Sequence, residues 1–278
     1  NLSIYTPSLY IHASARDKYA VDYGGEGLTI DGREKGLRQL MAINLLKRLE
    51  SSVNSFRLTL ERIEELIQKA ITAINNFEND GAGTVEVEKY DDDYDNEDSE
   101  SDPFVGRKSK INLRDMDFVS WRRDLKSDLE KLSLLLLMLK DITPEHDAKL
   151  QQLIADLKNK FKHPFNVNNK KVIIFTAFAD TANYLYEQLA QRIKTDCGLN
   201  TAIVTGSTEG KCTIQGLHAD FNTVLTYFSP VSKDRAAIFP KAKEEIDVLI
   251  GTDCISEGQN LQDCDYLINY DIHWNPVR

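Results

Sequence analysis

The stretch from Ile246 to Arg278 constrains the fold more than any other part of the chain. Val248, Leu249 and Ile250 form an apolar run too short for a helix and rich in β-branched residues. That pattern predicts a parallel strand buried on both faces. Gly251-Thr252 ends the run, a polar loop from Asp253 to Gln262 follows, and Tyr266 to Tyr270 is a second short strand closed by Asp271. Polar loops beyond the carboxyl ends of parallel strands are where open α/β sheets bind ligands. In this loop Gly258 permits a positive φ or lets a phosphate approach the backbone. Thr252, Ser256 and Asn260 offer hydroxyls and an amide suited to sugar and phosphate oxygens.

The same alternation begins at Lys170. Val172–Phe175 is a predicted buried strand, followed by Thr176-Ala-Phe-Ala-Asp180, where Asp180 is placed to cap a helix carrying Ala182, Leu185, Leu189 and Ile193. Thr201–Thr205 is the next strand and Gly206-Ser207-Thr208 its exit loop. Strand, helix and strand in turn argue for a parallel sheet and an α/β class. Gly206 to Thr213 resembles a phosphate-binding P-loop, but it has three residues between its glycines rather than four, and Cys212 follows the lysine. It is rejected as one.

Helical periodicity dominates the chain before residue 166. Leu45, Leu49, Val53, Phe56, Leu60, Ile63, Ile67 and Ile74 form one stripe between Leu37 and Phe77, which reads as a single helix of roughly 60 Å. Trp121 to Leu139 repeats the pattern. Thr143-Pro144-Glu145 reads as the start of a further helix, with threonine as N-cap and proline in the first turn. Leu150, Leu153, Ile154, Leu157 and Phe161 form its apolar face. The expected organisation is therefore residues 1–36 as a linker, 37–165 as a helical region with an acidic insertion at 78–102, and 166–278 as the α/β part.

The formal net charge is −10, yet twelve acids and one lysine between Glu78 and Asp102 put −11 there and leave +1 for the rest. That segment is a poor core former and reads as a mobile, dispensable loop, although Thr84–Glu88 alternates like a short strand. The body is near neutral, so a basic face for an acidic partner is not excluded. Four cysteines without a CxxC pair and five histidines without a cluster argue against a disulfide framework or a metal site. Reduced thiols fit a cytoplasmic location. No apolar run approaches a membrane span.

The stretch from Ile246 to Arg278, with its loop Ser256-Glu-Gly-Gln-Asn260, resembles motif V of superfamily-2 helicases, which sits in the second of their two RecA-like lobes. The ending Asn269-Tyr-Asp-x-x-Trp-Asn-Pro276 is similar to the Swi/Snf-like bacterial branch of ATP-dependent DNA translocases. Leu45-Leu-Lys-Arg-Leu-Glu-Ser-Ser52 and Asp147-Ala-Lys149-Leu150-x-x-Leu153 resemble strings of that branch. The resemblance implies a RecA-like sheet preceded by a long helical protrusion. It implies nucleotide contacts by Glu257, Gly258 and Asn260, and nucleic-acid contacts by Thr176, Ser207 and Thr252. It directs Arg235 towards an interface between lobes, and leaves Lys47, Arg48, Arg57 and Arg62 as phosphate contacts or a solvated helix face. The implied partners are duplex DNA and the first RecA-like lobe of the same parent protein, with ATP and magnesium bound by the intact parent. Neither a P-loop nor a magnesium-holding acidic box occurs in the sequence, and Arg278 precedes the expected position of motif VI. This stretch alone is thus expected to be an inactive fragment of an ATP hydrolase that binds neither cofactor by itself. Two alternatives remain: a non-catalytic RecA-like module for nucleic acid or protein, and an α/β enzyme such as a nucleotide-sugar transferase using the same crevice.

Overall fold

The computed structural model describes residues 2–23, 30–81, 83–88, 108–206, 210–255 and 259–271. It divides into two compact units, one formed by Asn1–Lys47 and Phe56–Asp141, the other by Arg48–Ser55 and Ile142–Arg278.

The first unit contains α1 (Arg16–Tyr23), most of α2 (Ile30–Ser51) and α3 (Val53–Asp80), the antiparallel pair β1 (Thr84–Glu88) and β2 (Lys108–Asn112), and α4 (Phe118–Leu139). Leu60, Ile63, Ile67 and Ile74 recur on one face of α3 at the helical period and are buried with Ile111, Leu113, Met116, Trp121 and Leu125. Each such side chain contributes about 1.5–3 kcal/mol by leaving water. Trp121 satisfies its indole N–H on the Ser3 carbonyl at 3.0 Å. Asp117 caps α4 by accepting from the Ser120 amide.

Two expectations are corrected here. The stripe from Leu37 to Phe77 is two helices, because the chain breaks at Ser52. The Ser52 amide closes α2 on the Arg48 carbonyl at 3.0 Å, and its hydroxyl accepts from the Ser55 amide at 3.0 Å, capping α3. A serine in that geometry ends one helix and starts the next with no loop between. The acidic segment from Glu78 onward is not all loop. Glu78 pairs with Arg122, Val85 is buried in the core, and Thr84–Glu88 does form a strand. Its remainder beyond Glu88 lies outside the described residues.

The second unit contains α5 (Ala148–Lys162), β3 (Val172–Phe175), α6 (Ala179–Cys197), β4 (Thr201–Val204), β5 (Lys211–Cys212), α7 (Phe221–Phe228), α8 (Arg235–Ile238), β6 (Val248–Gly251) and β7 (Leu267–Asn269). Among the described residues these strands form one sheet in the order β5-β4-β6-β3-β7, parallel throughout except for the short β5. Alternate residues of the strands go to opposite faces. Val172, Ile174, Ile203, Val248 and Ile250 pack with α5 and α6, while Ile173, Ala202, Val204 and Leu249 pack with α7 and its flanking loops. Burial on both sides is why the strands read as continuous apolar runs. The α/β class with a preceding helical region is as expected.

Helix starts differ from the sequence reading in two places. Asp147, not Thr143, caps α5, its carboxylate accepting from the Leu150 amide at 3.0 Å. Thr143 instead donates to the Glu145 carboxylate at 2.6 Å. The N-cap of α6 is Phe178, without a side-chain cap, and Asp180 lies in the first turn. The unit boundary also falls near residue 142 rather than 166, because α5 buries its apolar face against the sheet.

Candidate functional site at the carboxyl ends of the strands

The strand pairing fixes a row of residues at the exit of the sheet. Val204, Gly251 and Phe175 share one register level, as do Phe175 and Asn269. The next residue of each strand is therefore Thr205, Thr252, Thr176 and Tyr270, side by side across β4, β6, β3 and β7. The Thr176 amide donates to the Gly251 carbonyl at 3.1 Å, and the Tyr270 amide to the Phe175 carbonyl at 2.7 Å, so the ladder continues through this level. All four residues are buried. The residues just beyond, Ala177 and Gly206, are exposed.

Sequence reasoning singled out Thr176 and Thr252 but expected their hydroxyls to face a ligand. The structure turns them inward. The Thr176 hydroxyl donates to Asp271 at 2.7 Å, and the Thr252 hydroxyl to the Cys254 sulfur at 3.6 Å, while the Cys254 thiol donates to the Val204 carbonyl. Thr205 was missed as a site residue. Its signal was the same strand-then-threonine pattern, which only the register turns into a row.

Asp271 organises the β3–β7 side. One of its oxygens accepts from both the Thr176 hydroxyl and the Ala177 amide at 2.7 Å, and the other meets the Lys149 ammonium at 3.3 Å. Lys149 also lies 4.0 Å from the centre of the Tyr270 ring. Burial, with Asp147, Tyr184 and Asp271 nearby, pushes the Tyr270 phenol far above its ordinary range, so it stays neutral.

On the β6 side the chain turns back over its own strand. A Cβ added at Gly251 would lie 2.4 Å from the Ile255 Cδ1 and 3.3 Å from the Val204 carbonyl oxygen, so only glycine lets buried Ile255 fold down there. The Gln259 amide oxygen accepts from Lys233 at 3.0 Å, and Asn260 is exposed. Ser207, Ser256, Glu257 and Gly258, all singled out from the sequence, lie outside the described residues.

Arg235 is placed elsewhere. It donates to the Glu244 carbonyl at 2.6 Å, pairs with the Glu245 carboxylate at 3.3 Å and stacks on Tyr227. Both glutamates precede β6, so Arg235 belongs to the amino end of the sheet, separated from Thr252 by the length of that strand, about 13 Å. There it joins Lys171, which pairs with Glu245 at 3.0 Å, and Lys194, which donates to Asn200 at 2.7 Å. Asp247 accepts from the Asn200 amide at 2.9 Å, and burial raises its carboxyl above the usual range. Lys160, fully enclosed, meets Asp265 at 2.5 Å ahead of β7. Arg48, one of the basic residues considered as a phosphate contact, is likewise buried and pairs with Asp180 at 2.7 Å.

Among the described residues no group of three or more potential metal ligands occurs, and no helix is long and apolar enough to cross a membrane.

Comparison with known proteins bears on this unit. Residues 147–278 match the family described as the helicase conserved C-terminal domain. The match starts at Asp147, the cap of α5, and runs through the whole sheet. That family is RecA-like, and the parallel sheet with helices on both faces has this fold. A segment of 34 residues is 56% identical to an uncharacterised ATP-dependent helicase, YqhH, of Bacillus subtilis (strain 168). It covers 12% of this chain, and the chain spans 6% of that relative's length.

Proposed function

We propose that the second unit is the second motor lobe of an ATP-dependent helicase or translocase of the Swi/Snf type, acting on duplex DNA. In this reading its strand-exit row is the floor on which the nucleic-acid backbone and the nucleotide are read. The observation that carries the proposal is the row itself. Thr205, Thr252, Thr176 and Tyr270 level the exits of four parallel strands, and the loops that leave it hold the polar residues. The similarity of residues 147–278 to helicase C-terminal domains points the same way.

The division of labour follows from burial. Inward-turned Thr176 and Thr252 shape the floor rather than touch a phosphate through their hydroxyls. Contacts to the DNA backbone fall to the loops after them, at exposed Gly206 with Ser207 next in sequence, and beyond Ala177, whose own amide is held by Asp271. The amino end of α6 carries no side-chain cap, so its first-turn amides suit a phosphate oxygen. Asn260 supplies an exposed amide for the nucleotide sugar, with Glu257 and Gly258 on the same loop. Arg235 is a structural residue of the amino end in this reading, not an interlobe group.

ATP and magnesium fit the parent rather than this chain. The sequence has no P-loop to cradle phosphates. No hydrolytic step is therefore assigned to residues of this unit. When bound between lobes, ATP supplies the phosphoryl transfer that drives movement.

The test uses the intact parent. Asn260→Ala is expected to lower DNA-stimulated ATP turnover roughly five- to hundredfold, the usual worth of a polar ligand contact, at unchanged melting temperature. Normal turnover and nucleotide affinity in that variant would end the assignment. For the present chain, titration of labelled duplex is expected to show weak binding that falls steeply with salt, as counterions compete for the phosphates. Its ATP turnover should match a blank.

A further inference from the structure

The string Arg48-Leu-Glu-Ser-Ser-Val-Asn-Ser55 lies almost a hundred residues before the segment matched to helicases, yet it packs as part of the same compact unit. Three separate polar attachments hold it, two to the start of α6 and one to Lys149 of α5, which also meets Asp271 beside the loop after β3. The Arg48 guanidinium reaches Asp180 at 2.7 Å and the Ser55 hydroxyl at 3.3 Å, and lies 4.8 Å from the Phe178 ring centre. The Thr181 hydroxyl is shared by Ser51 at 2.6 Å and Ser52 at 3.0 Å. Lys149 donates to the carbonyls of Glu50 and Ser51, both at 2.9 Å, and with the same ammonium meets Asp271.

Arg48, Ser51, Ser52, Ser55 and Thr181 are each more than nine-tenths buried. A surface segment resting on a neighbour does not bury an arginine and four hydroxyls, because each costs its hydration unless a partner is built for it. Here each has one. The partners also share a location. Phe178, Asp180 and Thr181 follow Thr176-Ala177 directly, and Asp271 holds both the Thr176 hydroxyl and the Ala177 amide. The segment thus grips the β3 exit from two sides, through the α6 start by Arg48 and the serines, and through Asp271 by Lys149.

We propose that residues 48–55 form a built-in strap that positions the Thr176–Thr181 loop, with Arg48, Ser51 and Lys149 as positioning residues for the nucleic-acid contact made there. The contact itself rests on the function proposed above; the strap does not. Its attachments are hydrogen bonds between chain segments and exist with or without a ligand. The family-matched segment alone lacks them, so it leaves Asp180 and Thr181 without their Arg48 and serine partners.

The experiment uses the full chain in three forms: the unaltered protein, Arg48→Gln and the milder Ser51→Ala. Amide hydrogen exchange is followed by peptide, and duplex affinity is measured on the same preparations at low salt. The strap predicts exchange at least about tenfold faster in the peptide covering 176–181, with peptides from β6 and from the Leu60–Ile74 part of α3 unchanged, since local opening is read separately from global unfolding. Duplex affinity should fall roughly tenfold for Arg48→Gln, the scale of one charge-assisted hydrogen bond, and less for Ser51→Ala. Lys in place of Arg48 should restore part of both. Unchanged exchange at 176–181 in both variants overturns the strap, and so does an equal rise in all peptides, which marks mere destabilisation. Local loosening with full duplex affinity overturns the positioning role. If the unaltered chain binds no duplex, the proposed function fails, and the exchange pattern alone decides the strap. If Arg48→Gln does not fold, Ser51→Ala carries the same comparison.

Discussion

At the amino end of the sheet each parallel strand starts from a side chain held in a charged or amide lock, whereas at the carboxyl end the strands run out into three threonines and a tyrosine. Lys171 precedes β3, Asn200 precedes β4, Asp247 precedes β6 and Asp265 precedes β7, each tied to a neighbouring segment. Buried ion pairs are costly to break on one side only, so they fix geometry more than they add net stability. The exit row itself carries no charged side chain, and its threonine hydroxyls donate to the Asp271 carboxylate and the Cys254 sulfur. Charge appears there beside β3 and β7, in Lys149–Asp271 and Arg48–Asp180. The difference teaches which end is built to stay put and which end leaves backbone and loops open to a ligand.

The largest expected effect is at the closed end. Asp265→Ala leaves the enclosed Lys160 ammonium without its carboxylate and should cost about 3–5 kcal/mol, as losing one partner of a buried pair does. Denaturant midpoints measure it. Duplex affinity per folded molecule should not change; if it falls, the two ends are not functionally separate. Next comes Gly251→Ala at the open end. The added methyl displaces Ile255, for about 1–3 kcal/mol of overpacking, and shifts the loop that leads to Asn260. In the parent, nucleotide affinity should fall with it, and an intact affinity would show that the loop is set elsewhere.

Thr176→Val tests whether the exit row is floor or contact. It keeps the shape, removes the bond to Asp271 and should cost about 1 kcal/mol. Its melting temperature should drop slightly, with the salt slope of duplex binding unchanged. A smaller slope would mean the hydroxyl meets a phosphate after all.

The smallest effect is a pH dependence at the closed end. Burial raises the Asp247 carboxyl above its unfolded value, so between those two values the folded state holds the extra proton. Stability therefore falls as pH rises through that window and stays lower above it. Asp247→Asn keeps an oxygen for the Asn200 amide and removes the titration. Relative to the unaltered protein its stability should improve as pH is raised from the ordinary aspartate range, about 3.9, and then level off. A difference that is flat with pH would show that the carboxyl is not desolvated.

Much of this was legible before any coordinates. Runs such as Val172–Phe175 and Val248–Ile250 carry their burial in composition, and α3 and α4 carry theirs in spacing, because both signals are local in sequence. Caps are local too, yet they were ambiguous. Thr143 with Pro144 reads as a helix start although Asp147 is the cap the fold uses, and Ser52 lies inside an unbroken apolar stripe, since a one-residue break hardly disturbs the period. The site was harder. Thr252 and Thr176 could be picked out, but not that their hydroxyls face inward, because that depends on Cys254 and on Asp271, far along the chain.

By itself, then, the sequence determined the α/β class, the apolar strands β3, β4 and β6, and the loops on which a ligand site would lie. Tertiary structure decided the partners. Only strand register levels Thr205 with Thr252 and Thr176. Only packing sends Arg235 to Glu244 and Glu245 at the amino end. Only the fold joins Arg48 to Asp180, 132 residues away. Apolar burial is written in each residue's own chemistry and its near neighbours, whereas a charged or hydroxyl group accepts many partners. Which one it takes is settled by whatever the chain brings within about 3 Å of it.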